Sequence, residues 1–301
     1  MAGHWTDVFS FTTGVVRDRN TAYFALTHDA TARKKSPHSA ITAWVGGKWN
    51  NQMVEWGVVG VAWIEFPEPL AFYLGEPGGV HVFDGTNWSI EEFAHGEDGT
   101  DKRGPLRALR TIAGQPYAAG MDRQVYRRNG PNRWELIDQG ARPEKFDPRG
   151  IGFNAIDGFA PNDIYAAGFQ GQIWHFNGKR WRQLDSPTNY ILSNLICAPD
   201  GNVYACGRLG MLVRGRGDQW EVIDHQATKQ DIWGLAWFQD RLYLASLHFL
   251  FAWDGTALKP IELDDPNVSS TYHLCASDGF LWSIGAKDVV GFDGKDWERI
   301  D

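Results

Sequence analysis

Residues 164–185 read IYAAGFQGQIWHFNGKRWRQLD, and variants of this unit return from one end of the chain to the other. The unit opens with a short apolar run ended by Gly168. A second β-prone run leads into Asn177-Gly178, a dipeptide that closes tight hairpins, and a third starts at Trp181 and stops at Asp185. A further run at 154–159 comes first, set off by the turn residues Pro161-Asn162-Asp163. Four short strands in succession predict an antiparallel meander. Copies lie at 71–93, 116–138, 203–224, 242–265 and 281–301, and an altered first copy runs from Ala22 to Trp49 around an enlarged loop.

The fourth-strand tryptophans set the period. They are Trp49, Trp88, Trp134, Trp181, Trp220 and Trp297, with Leu258 in the matching slot of the sixth unit, and the steps are 39, 46, 47, 39, 38 and 39 residues. Four-stranded units repeating near every forty residues indicate a β-propeller. Seven units in 301 residues predict an all-β fold, a seven-bladed β-propeller of four-stranded antiparallel blades. The blades are expected at about 8–56, 57–93, 105–138, 151–185, 191–224, 231–264 and 270–301, in one domain spanning 1–301. Each blade is then contiguous in sequence, and side-chain packing between the first and last closes the ring, with a strand borrowed from the other terminus as the alternative.

Composition agrees with this. A blade covered by neighbours on both faces needs strands that read as continuously apolar. A large rigid indole fills the space between two sheets. Strong helical periodicity is missing, so very little helix is expected. The three cysteines, Cys197, Cys206 and Cys275, all fall in predicted strands. An odd number of strand cysteines reads as free thiols in a reducing compartment, with a bridge across the Asp200-Gly201 hairpin as the alternative. The first residues lack a basic segment followed by an apolar core, and no apolar run is long enough to cross a membrane. A cytoplasmic location without membrane contact is expected. The net charge of −8 argues against binding a nucleic-acid backbone.

The sequence D-I-Y-A-A-G followed by G-x-I-x-H-F-N-G-x-x-W, at 163–181, resembles the bacterial propellers grouped as YVTN/BNR-like, near the Asp-box repeats of sialidases. The resemblance covers almost the whole chain, most clearly 105–301. It implies the fold and leaves activity open, because such scaffolds carry many functions. An Asp-box has serine or threonine two positions before its aspartate. Here Val82 precedes Asp84, Ala252 precedes Asp254 and Gly291 precedes Asp293, although D-G-x-x-W survives at 84–88 and 293–297. A sialidase-like arginine set cannot be placed by motif.

Catalytic chemistry finds little support. The nine histidines are scattered, and none pairs with a cysteine at metal-ligand spacing. There is no G-x-S-x-G elbow and no phosphate-cradling loop opening a helix. No catalytic residue, metal or cofactor is assigned. Asp138, Asp185, Asp224, Asp264 and Asp301 recur at the ends of outer strands, a periodicity expected of scaffold residues.

Two candidate sites break the repeat. Enlarged segments occur at 27–39, 94–104 and 139–150. In a four-stranded blade, the connection between blades and the loop between the second and third strands leave on one face. Unusual loops on one face of a repeat protein often form its binding face. Arg33, Lys34, Lys35, His95, Asp98, Lys102, Arg103, Arg142, Lys145 and Arg149 are the candidate contacts for a protein partner. The second site is the central channel, where the irregular inner-strand residues Arg107, Arg110, Asn154, Asp157, Asn194, Trp233 and His273 could hold a small sugar or acid. Trp237 is expected near the same mouth. The leading expectation is a non-enzymatic protein-binding scaffold, and a bacterial immunity or toxin-associated role fits an acidic cytoplasmic propeller. The alternative is a carbohydrate-binding or glycan-processing propeller. Glycoside hydrolysis needs two facing carboxyl groups, and Asp157 is the single inner-strand candidate, so a lectin is favoured over a hydrolase.

Overall fold

The computed structural model describes residues 5–33, 38–93, 95–96, 99–144, 151–263 and 265–300. It forms seven four-stranded sheets, each with its strands in sequential order. Pairing within them is antiparallel, as in blade four. From first strand to last, the blades span 9–54, 58–92, 106–136, 153–184, 192–222, 234–261 and 273–299. Described helix is limited to short turns, among them Asp29–Arg33 and Thr100–Arg103.

The turn chemistry explains why the repeat survives. Asp84 Oδ1 accepts the backbone N–H of Thr86 and Asn87, Asp254 Oδ1 those of Thr256 and Ala257, and Asp293 Oδ1 those of Lys295 and Asp296. Asn177 does the same for Lys179 and Arg180. The side chain replaces backbone acceptors that a tight turn cannot supply. A second constraint falls on the residue that follows the second strand's alanine-rich core. A Cβ at Gly168, Gly207 or Gly285 would run into the carbonyl oxygen of Gly152, Ile191 or Ser270. Glycine there lets the chain entering these three blades pass directly beneath the second strand.

Among the described residues, seven clusters of buried apolar side chains lie one between each pair of neighbouring blades. Each contains one residue of the outer-strand slot, and that residue faces the preceding blade. Trp181 of blade four packs with Tyr117 and Val125 of blade three. Leu258 of blade six packs with Tyr204 and Cys206 of blade five. Trp181 is 1% exposed, and its indole N–H donates to the Ile137 carbonyl at 2.7 Å. Burying one such ring contributes roughly 3 kcal/mol. The wedge between blades two and three adds charge: Glu91 accepts from Arg128 Nε and from the Trp134 indole, both at 2.9 Å, inside the protein.

Among the described residues no strand is exchanged to close the ring. Blade one meets blade seven through a cluster containing Phe24, Trp49 and Trp282. Polar contacts reinforce the seam. The Phe11 N–H donates to the Ala286 carbonyl at 2.9 Å, and Lys287 Nζ reaches the Thr6 and Phe9 carbonyls and Asp29 Oδ2 at 2.9, 2.8 and 2.7 Å.

Candidate functional site

Hydrogen bonds between loops show which segments share a face. Thr100 Oγ1, between blades two and three, donates to the Pro77 carbonyl in the second-to-third-strand loop of blade two at 2.9 Å. Arg123, in the corresponding loop of blade three, donates to the Ala141 carbonyl in the next connection at 3.1 Å. The Asp29 N–H, opening the enlarged loop of blade one, donates to the Val8 carbonyl at the entry to that blade at 2.9 Å. The described parts of the three long segments therefore lie on one side of the ring.

The candidate contacts on that face divide into three groups. Arg33, His95, Lys102 and Arg142 are exposed. Arg103 points inward. Its side chain is 4% exposed, with Nε 2.7 Å from Asp122 Oδ2 and a terminal nitrogen 2.6 Å from Asp138 Oδ2. It pins the connection onto blade three and offers nothing to a partner, because a guanidinium without those carboxylates would be a buried unpaired charge. Lys34, Lys35, Asp98, Lys145 and Arg149 lie outside the described residues.

The sequence reading missed an apolar arc on the same face. Leu209 and Phe249, in the second-to-third-strand loops of blades five and six, are 56% and 51% exposed. Leu247 and Tyr190 beside them are exposed as well. Leu209 has a φ of 56°, and its N–H donates to Asp231 Oδ1 at 2.9 Å. A bulky residue in the left-handed region is uncommon. The matching slot in blade four holds Gln170, at φ 58°. Aligning the G-x-x-G turns of these two blades would have marked Leu209 as an apolar residue where a polar one serves the same turn.

The inner strands enclose a channel with a cavity of about 950 Å³. All seven predicted channel residues line it. Trp237 does not; it stacks on Tyr204 at 6.1 Å within the wedge between blades five and six. Most of the polar channel groups are engaged by neighbouring blades. Asn154 Nδ2 donates to the Leu192 carbonyl and Asn194 Nδ2 to the Trp233 carbonyl, at 2.9 and 2.8 Å. His273 Nε2 donates to the Thr12 carbonyl at 2.9 Å, and burial pushes its pKa down to about 4, so the ring is neutral at pH 7. Asp157 pairs with Arg110 at 3.3 Å and also accepts the Cys197 N–H at 2.9 Å, linking blades three, four and five. The Asp157 charge raises the Arg110 pKa further.

A ring of equivalent positions surrounds the channel mouth. In blades two to five the first step of the inner strand is a bulge, leaving Val59, Arg107, Asn154 and Ser193 each as the extra residue, and in blade one a bulge after Phe11 leaves Thr12 so. In blades six and seven, Trp233 and Tyr272 hold the same level just before the ladder begins. All seven line the cavity. A bulge re-aims a side chain out of the sheet's alternation, here toward the channel.

No group of three or more His, Cys, Asp and Glu side chains suited to a metal occurs among the described residues. All three cysteines are free, and Cys197 pairs in register with Val203, which keeps it off Cys206. Burial pushes the Cys197 and Cys206 thiols far up, leaving them unreactive.

Compared with known proteins, the chain is 42% identical over 299 residues to the immune protein Tsi7 of Pseudomonas aeruginosa, covering 98% of each. The chain belongs to the Tsi7 family. No family model matches it. Several solved structures share the propeller fold alone. The WD40 propeller domain of Doa1 superposes with a TM-score of 0.71 at 13% identity, covering 98% of this chain and 96% of its own. YCF48 bound to D1 peptide gives 0.67 at 15% identity, covering 93% and 90%. A catalytically inactive virginiamycin B lyase from Staphylococcus aureus gives 0.71 at 6% identity, covering 96% of both chains. The relationship to Tsi7 thus spans every blade, which the fold likenesses match in extent but not in sequence.

Proposed function

We propose that this chain is an immunity protein, a rigid non-enzymatic propeller that binds a protein toxin on its long-loop face. The observation that carries this reading is 42% identity to an immune protein over 98% of both chains. The face supports it by combining exposed cations, such as Arg33 and Lys102, with exposed Leu209 and Phe249. Aromatic and arginine anchors within a polar rim are the composition of protein interfaces. A sugar site is less well supported, because Asn154, Asn194 and Asp157 already bond neighbouring blades. A cytoplasmic location belongs to this reading and is supported by the three free thiols. So do a single seven-bladed domain, a surface that engages neither nucleic acid nor membrane, and a degenerate Asp-box ancestry, for which the turns at Asp84, Asp254 and Asp293 speak.

The experiment has two arms. The tagged chain, expressed in its native cell, is expected to retain one protein in fixed proportion, and co-expression is expected to restore growth to cells that this protein poisons. Shortening 27–39 together with 94–104 is expected to abolish both retention and rescue. Retention and rescue that survive the shortening would contradict docking on this face.

A further inference from the structure

When the bonds between blades are set aside, one part of the mouth ring still has unused donors. Among the described residues Arg107 bonds through Nε alone, donating to Asn154 Oδ1 at 2.7 Å. Asn154 is fixed by its own bond to the Leu192 carbonyl, so its amide oxygen is the end that meets Arg107. Phe169 faces the guanidinium at 5.5 Å. Among the described residues no carboxylate pairs with Arg107, whereas the other cavity-lining arginines have Asp157 and Asp231 as partners. Arg107 is an exposed residue on the cavity wall, held through Nε, and its two terminal nitrogens carry no hydrogen bond among the described residues.

On the same ring, across the channel, stand Trp233 and Tyr272, with ring centroids 5.7 Å apart. Their indole N–H and hydroxyl carry no hydrogen bond among the described residues. The Arg107 charge acts on the Tyr272 phenol, opposing the rise that burial causes. A guanidinium fork matches a planar carboxylate with two parallel donors. Of the acidic groups on the cavity wall, Glu65 is paired with Arg17 and Asp157 with Arg110, which leaves Glu76 of blade two unmatched. Arg208 is likewise matched, by Asp231, so Arg107 and Glu76 are the two unmatched charges on the wall and the pull on an anion is local, at the Arg107 fork. Leu209 stands exposed next to Arg208, ready to take apolar surface beside the charge.

We propose that the channel mouth is an anchoring pocket for a carboxylate side chain carried on an inserted loop of the docked protein, gripped by the Arg107 fork, with Trp233 and Tyr272 as further donors. This rests on the protein-docking reading above and names what enters the ring. Neutralising an acidic group there links docking to a charge that only a complementary partner brings.

The first test needs no partner. Arginine Nε–Hε NMR signals are recorded while N-acetylglutamate methylamide is titrated to tens of millimolar, with N-acetylglutamine methylamide as the neutral control. The Arg107 signal is identified by its loss in Arg107→Lys. It is expected to shift saturably with the acidic probe and to stay still with the neutral one. No movement with either probe, or equal movement with both, overturns the pocket. The second test uses the captured partner: Arg107→Gln, with an unchanged melting curve, is expected to weaken binding at least tenfold, and Arg107→Lys less. Probe binding with unchanged partner affinity would overturn the docking role of the pocket. Failure to capture any partner would count against the immunity reading, while the probe titration would still decide the pocket.

Discussion

Between blades, the outer-strand slot holds tryptophan in six units and leucine in one. Around the mouth, the first inner-strand slot holds Thr12, Val59, Arg107, Asn154, Ser193, Trp233 and Tyr272. Both slots occupy a fixed place in every blade. The first faces the same surroundings each time, a neighbouring sheet that must be kept dry. The second faces a channel in which no two positions need the same chemistry. A slot that keeps its residue therefore marks a packing duty, and a slot that varies marks freedom to contact something else. Variation alone is not function, since Asn154 uses its freedom to bond the next blade.

Substitutions in the two slots should separate stability from docking. Trp181→Ala is expected to give the largest loss, about 4 kcal/mol in urea unfolding, because the ring is fully buried and its indole N–H is bonded. Trp220→Ala, at a half-buried ring, should lose clearly less. Equal losses would mean that the wedges do not act by burial. Glu91→Gln comes next, at about 3 kcal/mol, because Arg128 would remain buried without its anion.

A third test concerns the seam between blades seven and one. The folded state holds the His273 pKa near 4, below its ordinary value of 6.5, because burial disfavours the charged ring. The unfolded chain therefore binds more protons between these values. Stability from this group is complete above about pH 6.5 and is lost as pH falls toward 4. Allowing for its partial exposure, the loss should be up to about 2 kcal/mol. Urea unfolding at pH 7 and pH 4.5 measures it, and His273→Gln should flatten the slope. The smallest effect is expected at the mouth: Arg107→Gln should change stability by less than about 0.5 kcal/mol while partner binding falls.

The architecture was legible because its causes repeat. Outer-strand indoles, Asp-Gly or Asn-Gly turns and strand-ending glycines each solve one steric problem in several blades, so periodicity exposes them. The long-loop face was legible from chain connectivity. Individual contacts were not. Arg103 reads as a surface cation in sequence, and only the fold brings Asp122 and Asp138 around it. Arg107, Asn154 and His273 were placed correctly on the channel wall, but which of them had donors to spare depended on bonds to the next blade. Leu209 escaped notice because one apolar residue in a turn carries no periodic signal.

Hydrogen exchange of the chain alone and in complex with its captured partner tests the docking face most directly. New protection is expected at 29–33, 99–104 and 139–144, with the entry to the inner strands around Arg107 and Trp233. Protection confined to the opposite turns, such as 65–69 and 198–202, would contradict the assignment of that face.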